Sequence, residues 1–230
     1  MTWISSQELT LSNLPNRRSF VKMGATAAVA TVAGAALTPS ESSAAVGNAV
    51  PNLFPNFNSR AFKAIRDDEN AHVMFLVGAL GAAARPKPNF KGLLQANVKA
   101  FAGVAQALEN TGCGAYLGAA PIIFNRQFLA AAGSIALIEA RHAGYLNTLF
   151  NSVSTVDVFG VEQDFEQPLT VDQVVQLASP FIQDLNGGPP LTFNATPSRT
   201  NDFAILNFAL ALEYLEAEFY NLNVPKFFGN

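Results

Sequence analysis

Apolar residues recur every third or fourth position in four long stretches of this chain. In each stretch the apolar run is interrupted, on the same face, by a charged or hydroxyl-bearing residue. The first stripe is Phe62, Ile65, Glu69, His72, Leu76 and Ala79, and the second is Val98, Ala102, Ala105, Glu109, Gly112 and Tyr116. The third runs Phe128, Ala132, Ile135, Glu139, His142, Leu146 and Leu149, and the fourth Leu206, Leu210, Glu213, Ala217 and Tyr220. Such spacing puts every member of a stripe on one helical face, so it predicts helices over about 58–83, 91–111, 125–150 and 201–222. Pro86 and Pro88 close the first, Pro121 separates the second from the third, and Pro225 with Gly229 is expected to stop the last. The connector before the last helix contains a short helix, Leu169 to Ala178, capped by Thr170, and then Gly187-Gly188-Pro189-Pro190. Thr155 to Val161 is the best strand candidate and is weak beside the helical pattern. The expected fold class is an all-α four-helix bundle.

Composition agrees with a folded domain. Half of the 230 residues are hydrophobic, 13% are charged and the net charge is −3. That is neither a disordered composition nor the basic surface a nucleic-acid partner requires, so no such partner is expected. The first 45 residues read as an address. Asn16-Arg17-Arg18-Ser19-Phe20-Val21-Lys22 precedes a weakly apolar stretch, Met23 to Leu37, and Ser43-Ala44-Ala45 offers the small residues of a cleavage site. The paired arginines resemble a twin-arginine export signal, with Asn16 where Ser or Thr is usual. An ordinary secretory signal or an uncleaved anchor is the alternative, but the stretch is short and polar for a membrane span. Residues 46–230 are therefore expected to form one domain, exported to the periplasm or cell exterior, with no stable span after cleavage. Cys113 is the only cysteine, which excludes an intrachain disulfide and suits a packed structural thiol.

The chemistry lies in the polar residues of the stripes. The chain has ten glutamates and only two histidines, and each histidine follows a glutamate by three: Glu69-x-x-His72 and Glu139-x-x-His142. At ordinary Glu usage, chance supplies both pairs on the order of once in 500 chains. One such pair is most often a plain i, i+3 surface contact. The complete set is far more specific than either pair. Two Glu-x-x-His helices and two single-glutamate helices, carrying Glu109 and Glu213, are the inventory of carboxylate-bridged dinuclear iron and manganese bundles. Four carboxylates and two imidazoles offset two divalent cations, which removes the cost of burying charge. Tyr116 and Tyr220 each lie seven residues beyond a glutamate, so each is expected to stack above the glutamate of its own helix and to serve as a catalytic hydrogen-bond or electron donor. Glu216 replaces Glu213 as ligand if the last helix is rotated. Arg66, Asp67, Asp68 and Arg141 stand beside the ligands, where a supporting contact and a solvated face are equally compatible with the sequence.

At these residues the chain resembles the ferritin-like superfamily, and more closely the desiccation-related ferritin-like proteins of bacteria, plants and fungi. The stretches that carry the likeness are IRDDENAHVMFLVGALG, ALENTGCGAYLGAAP, AAGSIALIEARHAGYL and ILNFALALEYLEAEFY. The resemblance implies metal ligands at Glu69, His72, Glu109, Glu139, His142 and Glu213, as the spacing does. One departure is notable. The helix that comes first in such relatives is last here, so the order looks circularly permuted. Helices of about 25 residues span roughly 38 Å, a gap the long connector crosses easily. The rival is exchange of the terminal helix between two chains in a homodimer.

The resemblance implies an exported protein binding two iron or manganese ions, acting in stress or desiccation tolerance. Its expected substrate is small, such as Fe(II) to be oxidised or peroxide to be removed. A non-enzymatic, metal-stabilised bundle with a protective role is the alternative. Ligand types leave open which of the two metals is bound.

Overall fold

A computed structural model describes residues 50–52 and 54–229. The export signal expected over residues 1–45 lies outside the described residues. Four long helices dominate: α1 (Phe57–Leu80), α2 (Val98–Ala119), α3 (Arg126–Leu149) and, after the short α4 (Val171–Ala178), α5 (Arg199–Phe228). The all-α expectation holds, with a minor addition. A two-stranded antiparallel ribbon pairs β1 (Asn89–Phe90) with β2 (Ile182–Asp184), tying the chain after α1 to the connector. Among the described residues no helix is long and apolar enough to cross a membrane.

Four of the five helix starts have a side-chain cause; α1 follows Asn56 without a side-chain cap. Asn97 accepts from Ala100 N, Asn125 from Gln127 N and Phe128 N, and Ser198 from Asn201 N, so α2, α3 and α5 all begin on a side-chain cap. Thr170 and Gln173 form a reciprocal capping box on α4. The Thr155 to Val161 segment is not a strand. Asp157 Oδ1 accepts from Phe159 N and Val161 N, bending it into a turn with a single bridge between Val156 and Glu162.

Two helix ends differ from expectation. Helix α2 starts later than expected and runs through Gly112, Gly114 and Gly118 to Ala119. Those glycines are places of close approach. A Cβ on Gly118 would lie 2.2 Å from the Leu169 carbonyl oxygen, and one on Gly114 2.5 Å from Leu169 Cγ. Helix α5 continues past Pro225 to Phe228. The extra turn places Phe228 against Phe62 (ring centroids 5.2 Å apart) and Phe227 against Phe101 (5.7 Å), and this packing offsets the missing proline N–H.

Helix α5 packs closely on α1, and α2 on α3. One apolar layer gathers Phe62, Phe101, Leu146 and Phe219; others gather Leu76, Leu80, Leu206 and Leu210, and Ile123, Ala132 and Ile205. Helices α1 and α2 therefore run one way, α3 and α5 the other, and the charged stripe residues sit between apolar layers. Three buried polar side chains of α5 fix it lengthwise by binding backbone of the links. Asp202 accepts from Phe124 N and Asn125 N at 2.7 and 2.8 Å. Asn207 bonds Arg85 N and Ala83 O, and Asn223 bonds Gln95 N and Leu93 O.

Candidate metal centre

The stripe positions of four helices converge. Glu69 and His72 come from α1, Glu109 from α2, Glu139 and His142 from α3, and Glu213 from α5; all six are buried. Helical i, i+3 spacing sets each Glu-x-x-His pair side by side, and the packing of α1 against α5 and α2 against α3 turns the four faces inward.

His72 Nδ1 stands 3.2 Å from each of Glu69 Oε2, Glu139 Oε1 and Glu213 Oε2. His142 Nδ1 stands 3.1 Å from Glu69 Oε1 and 3.0 Å from Glu109 Oε2. The atoms form two groups that could each hold a cation: Glu69, Glu109, Glu139 and His142, and Glu69, His72, Glu139 and Glu213. Within a group the ligand atoms all lie within 4.8 Å of one another. Glu69 and Glu139 belong to both groups and would be shared if each held a cation.

The hydrogen bonding tests whether a metal fits. Glu69 Oε1, both Glu139 oxygens and Glu213 Oε2 are buried with no hydrogen-bond partner. Three of them lie at ion-pair distance from an imidazole Nδ1, yet one ring N–H cannot serve several acceptors. Unsatisfied buried carboxylate oxygens cost free energy that a divalent cation among them would recover. Mixed carboxylate and imidazole donors suit iron or manganese. The residues fit the group.

Electrostatics agree. Burial, reinforced by Glu109, raises the Glu69 carboxyl to about 7. Burial and then Glu69 push Glu139 well above the carboxylate range. Burial works against ionised Glu109 too, but the charge and hydrogen bond of His142 prevail and hold it below its ordinary value. Burial disfavours protonated His72, yet its bonds to Glu213 and Glu69 raise it to about 10. Likewise the Glu109 charge outweighs burial and raises His142 to about 11. Without metal, then, protons hold the cluster together.

The tyrosines differ from expectation. Tyr116 OH donates to Glu213 Oε1, in a very short bond, and Tyr220 OH donates to Glu109 Oε1 at 2.5 Å. Each serves the glutamate of the other helix. Seven residues rise roughly 10 Å along a helix, which puts a tyrosine beyond its own glutamate but level with its neighbour's.

Among the flanking residues, Asp68 carries a role that sequence left open. His142 Nε2 lies 3.1 Å from Asp68 Oδ2, on the side of the ring away from the cluster. Arg66 pairs with exposed Asp67, and Arg141 is exposed. Glu216 is buried but outside both donor groups, beside a small cavity lined by Leu108, Thr111, Gly112, Ala178, Leu212 and Leu215. Its carboxyl is pushed well above the usual range by burial and then by Glu69. Glu218 pairs with Lys87 at 2.7 Å. Cys113 is a buried free thiol whose pKa burial pushes up, as expected of a structural cysteine.

A family model described as a ferritin-like domain matches residues 20–152, more than half of the chain, and stops before α5. No curated protein and no solved structure matches the chain.

Proposed function

The chain belongs to the ferritin-like domain family, and from that premise we propose that it is an exported protein that holds two iron or manganese ions and oxidises Fe(II) or removes peroxide. The role in stress or desiccation tolerance, and the circular permutation that puts the first helix of such relatives last, belong to the same proposal. One observation carries the reading: two four-residue donor groups share Glu69 and Glu139, and four of their buried carboxylate oxygens have no hydrogen bond.

Glu109 and His142 would hold one ion, His72 and Glu213 the other, with Glu69 and Glu139 between. A bound pair of such ions supplies redox chemistry for a small oxidant or for Fe(II). The chain's own groups prepare the place for it. Tyr116 and Tyr220 fix the carboxylates of Glu213 and Glu109 and donate hydrogen bonds to them. The apolar layers on either side keep water from the donors, which strengthens every charge interaction inside. Export rests on Arg17, Arg18 and the residues that follow them.

Elemental analysis of protein from its native compartment is the direct test. Two iron or manganese ions per chain are expected; fewer than one, persisting after reconstitution, sinks the dinuclear reading. Replacing His72 and His142 together should lower both metal content and melting temperature. A metal-stabilised bundle without turnover is the second reading, favoured by depth: Glu69, Glu109 and Glu139 have no solvent exposure. Turnover of peroxide or Fe(II) by the loaded protein separates the two.

A further inference from the structure

The two donor groups have the same composition, three glutamates and one histidine, but not the same support. In the Glu109/His142 group each terminal ligand is tethered. Glu109 Oε1 accepts from Tyr220 at 2.5 Å, Glu109 Oε2 lies 3.0 Å from His142 Nδ1, and His142 Nε2 lies 3.1 Å from Asp68 Oδ2. In the His72/Glu213 group the tethers are fewer. Glu213 Oε1 accepts from Tyr116, while its Oε2 has only a 3.2 Å ion-pair contact with His72 Nδ1, a nitrogen that also meets Glu69 and Glu139. Among the described residues the contacts of the His72 ring all go through Nδ1, into the cluster, and no carboxylate meets its outer nitrogen. The local cause is visible in the chain. Asp68 immediately precedes Glu69 on α1, so its side chain leaves the seam sideways and meets the ring from α3; the residue before Glu139 is Ile138, which offers no acceptor.

An acceptor on the outer nitrogen matters for a ligand imidazole. It keeps the proton on Nε2, leaves the Nδ1 lone pair aimed at the metal, fixes the ring and raises its basicity; losing such a partner typically costs 10–100-fold in metal affinity. Resting on the dinuclear reading above, we propose that the two metal positions are inequivalent, with Asp68 making the Glu109/His142 position the tight one that fills first, and the His72/Glu213 position the weaker, exchangeable one. Asp68 is a positioning residue here, acting through His142. A chain built this way can take up its two cations in order, and can exchange the second while retaining the first.

The test uses the metal-free full chain without oxidant, with Mn(II) for calorimetry and diamagnetic Zn(II) for NMR, because Mn(II) in one position would broaden both rings. Because the chain has only two histidines, the ring signals of His72 and His142 can each be followed by nitrogen NMR during titration. With Zn(II) the His142 ring is expected to shift up to one equivalent and the His72 ring between one and two. Calorimetry should resolve two steps, and in Asp68→Asn the tight step should weaken 10–100-fold while the weak step changes less than threefold. The Asp68 side chain is half exposed, so the variant should melt like the parent when metal-free. A Zn(II)-induced shift of His72 first, or of both rings in parallel, overturns the proposal; so do equal changes of both calorimetric steps in the variant. Failure of the parent to bind a second Mn(II) at all refutes the dinuclear reading instead, a distinct outcome.

Discussion

Replacing Gly112 by Ala should separate the stability of the bundle from the occupancy of its centre. Gly112 lies inside α2 on the face toward α3, and a Cβ there would stand 2.9 Å from Glu139 Oε2, 3.4 Å from Cδ and 3.5 Å from Cγ. An oxygen so close must move by a few tenths of an ångström. In the metal-free chain the move is cheap, because Glu139 is the end of a side chain that makes no hydrogen bond. Alanine meanwhile improves a helix interior by about 0.5–1 kcal/mol over glycine. The metal-free melting temperature should therefore stay or rise, by about 2–4 °C per kcal/mol for a chain of this size. With metal, Glu139 must hold one geometry for both positions, so Mn(II) affinity should fall at least about tenfold, roughly 1.4 kcal/mol. At metal one hundred times the parental dissociation constant, the parent gains about 2.7 kcal/mol from binding and the variant about half that. Paired thermal melts with and without Mn(II), alongside calorimetry, read both quantities. Parental affinity in Gly112→Ala, or collapse of its metal-free fold, would show that Glu139 is not held against α2 as described. Gly118→Ala is the control, since its Cβ would meet the Leu169 backbone 2.2 Å away, and it should lower the melting temperature by the same amount with and without metal.

Two further outcomes follow from the protons of the centre. His72 and His142 are raised to about 10 and 11 in the fold, and Glu69 to about 7; the folded chain therefore binds more protons than the unfolded one between about pH 4.5 and 10. Metal-free stability should fall as pH rises through that window, as melts from pH 5 to 9 would report, while the metal-induced gain grows because cations compete with fewer protons. A metal-free melting temperature that rises with pH would contradict the proton-held cluster. Tyr220→Phe leaves Glu109 Oε1 without its donor and should destabilise the metal-free fold by about 1–3 kcal/mol, read by denaturant melts; Tyr220 bonds Glu109 and not Glu213, so the NMR signals of the Glu109 side chain should move and those of Glu213 should not.

Sequence by itself determined the helical stripes and the identities of the polar residues on them, because a 3.6-residue period is a local property of the chain. Two Glu-x-x-His pairs and two lone glutamates, each on an apolar face, already imply that six ligand-type side chains turn inward together. Tertiary structure decided what depends on the relative height of helices distant in sequence. It set Tyr116 on Glu213 and Tyr220 on Glu109, where spacing within a helix had suggested the reverse pairing. It carried α2 through Gly112, Gly114 and Gly118, beyond the end expected near residue 111, with Glu139 and Leu169 occupying the space a side chain there would need. It took α5 past Pro225, since Phe227 and Phe228 find partners on other helices. The same dependence on height gave Asp68, one of several charged residues beside the ligands, its place on His142, and gave His72 no counterpart among the described residues. A period along one helix names the residues that face inward; only the docking of four helices, fixed lengthwise by Asp202, Asn207 and Asn223, decides which of them touch.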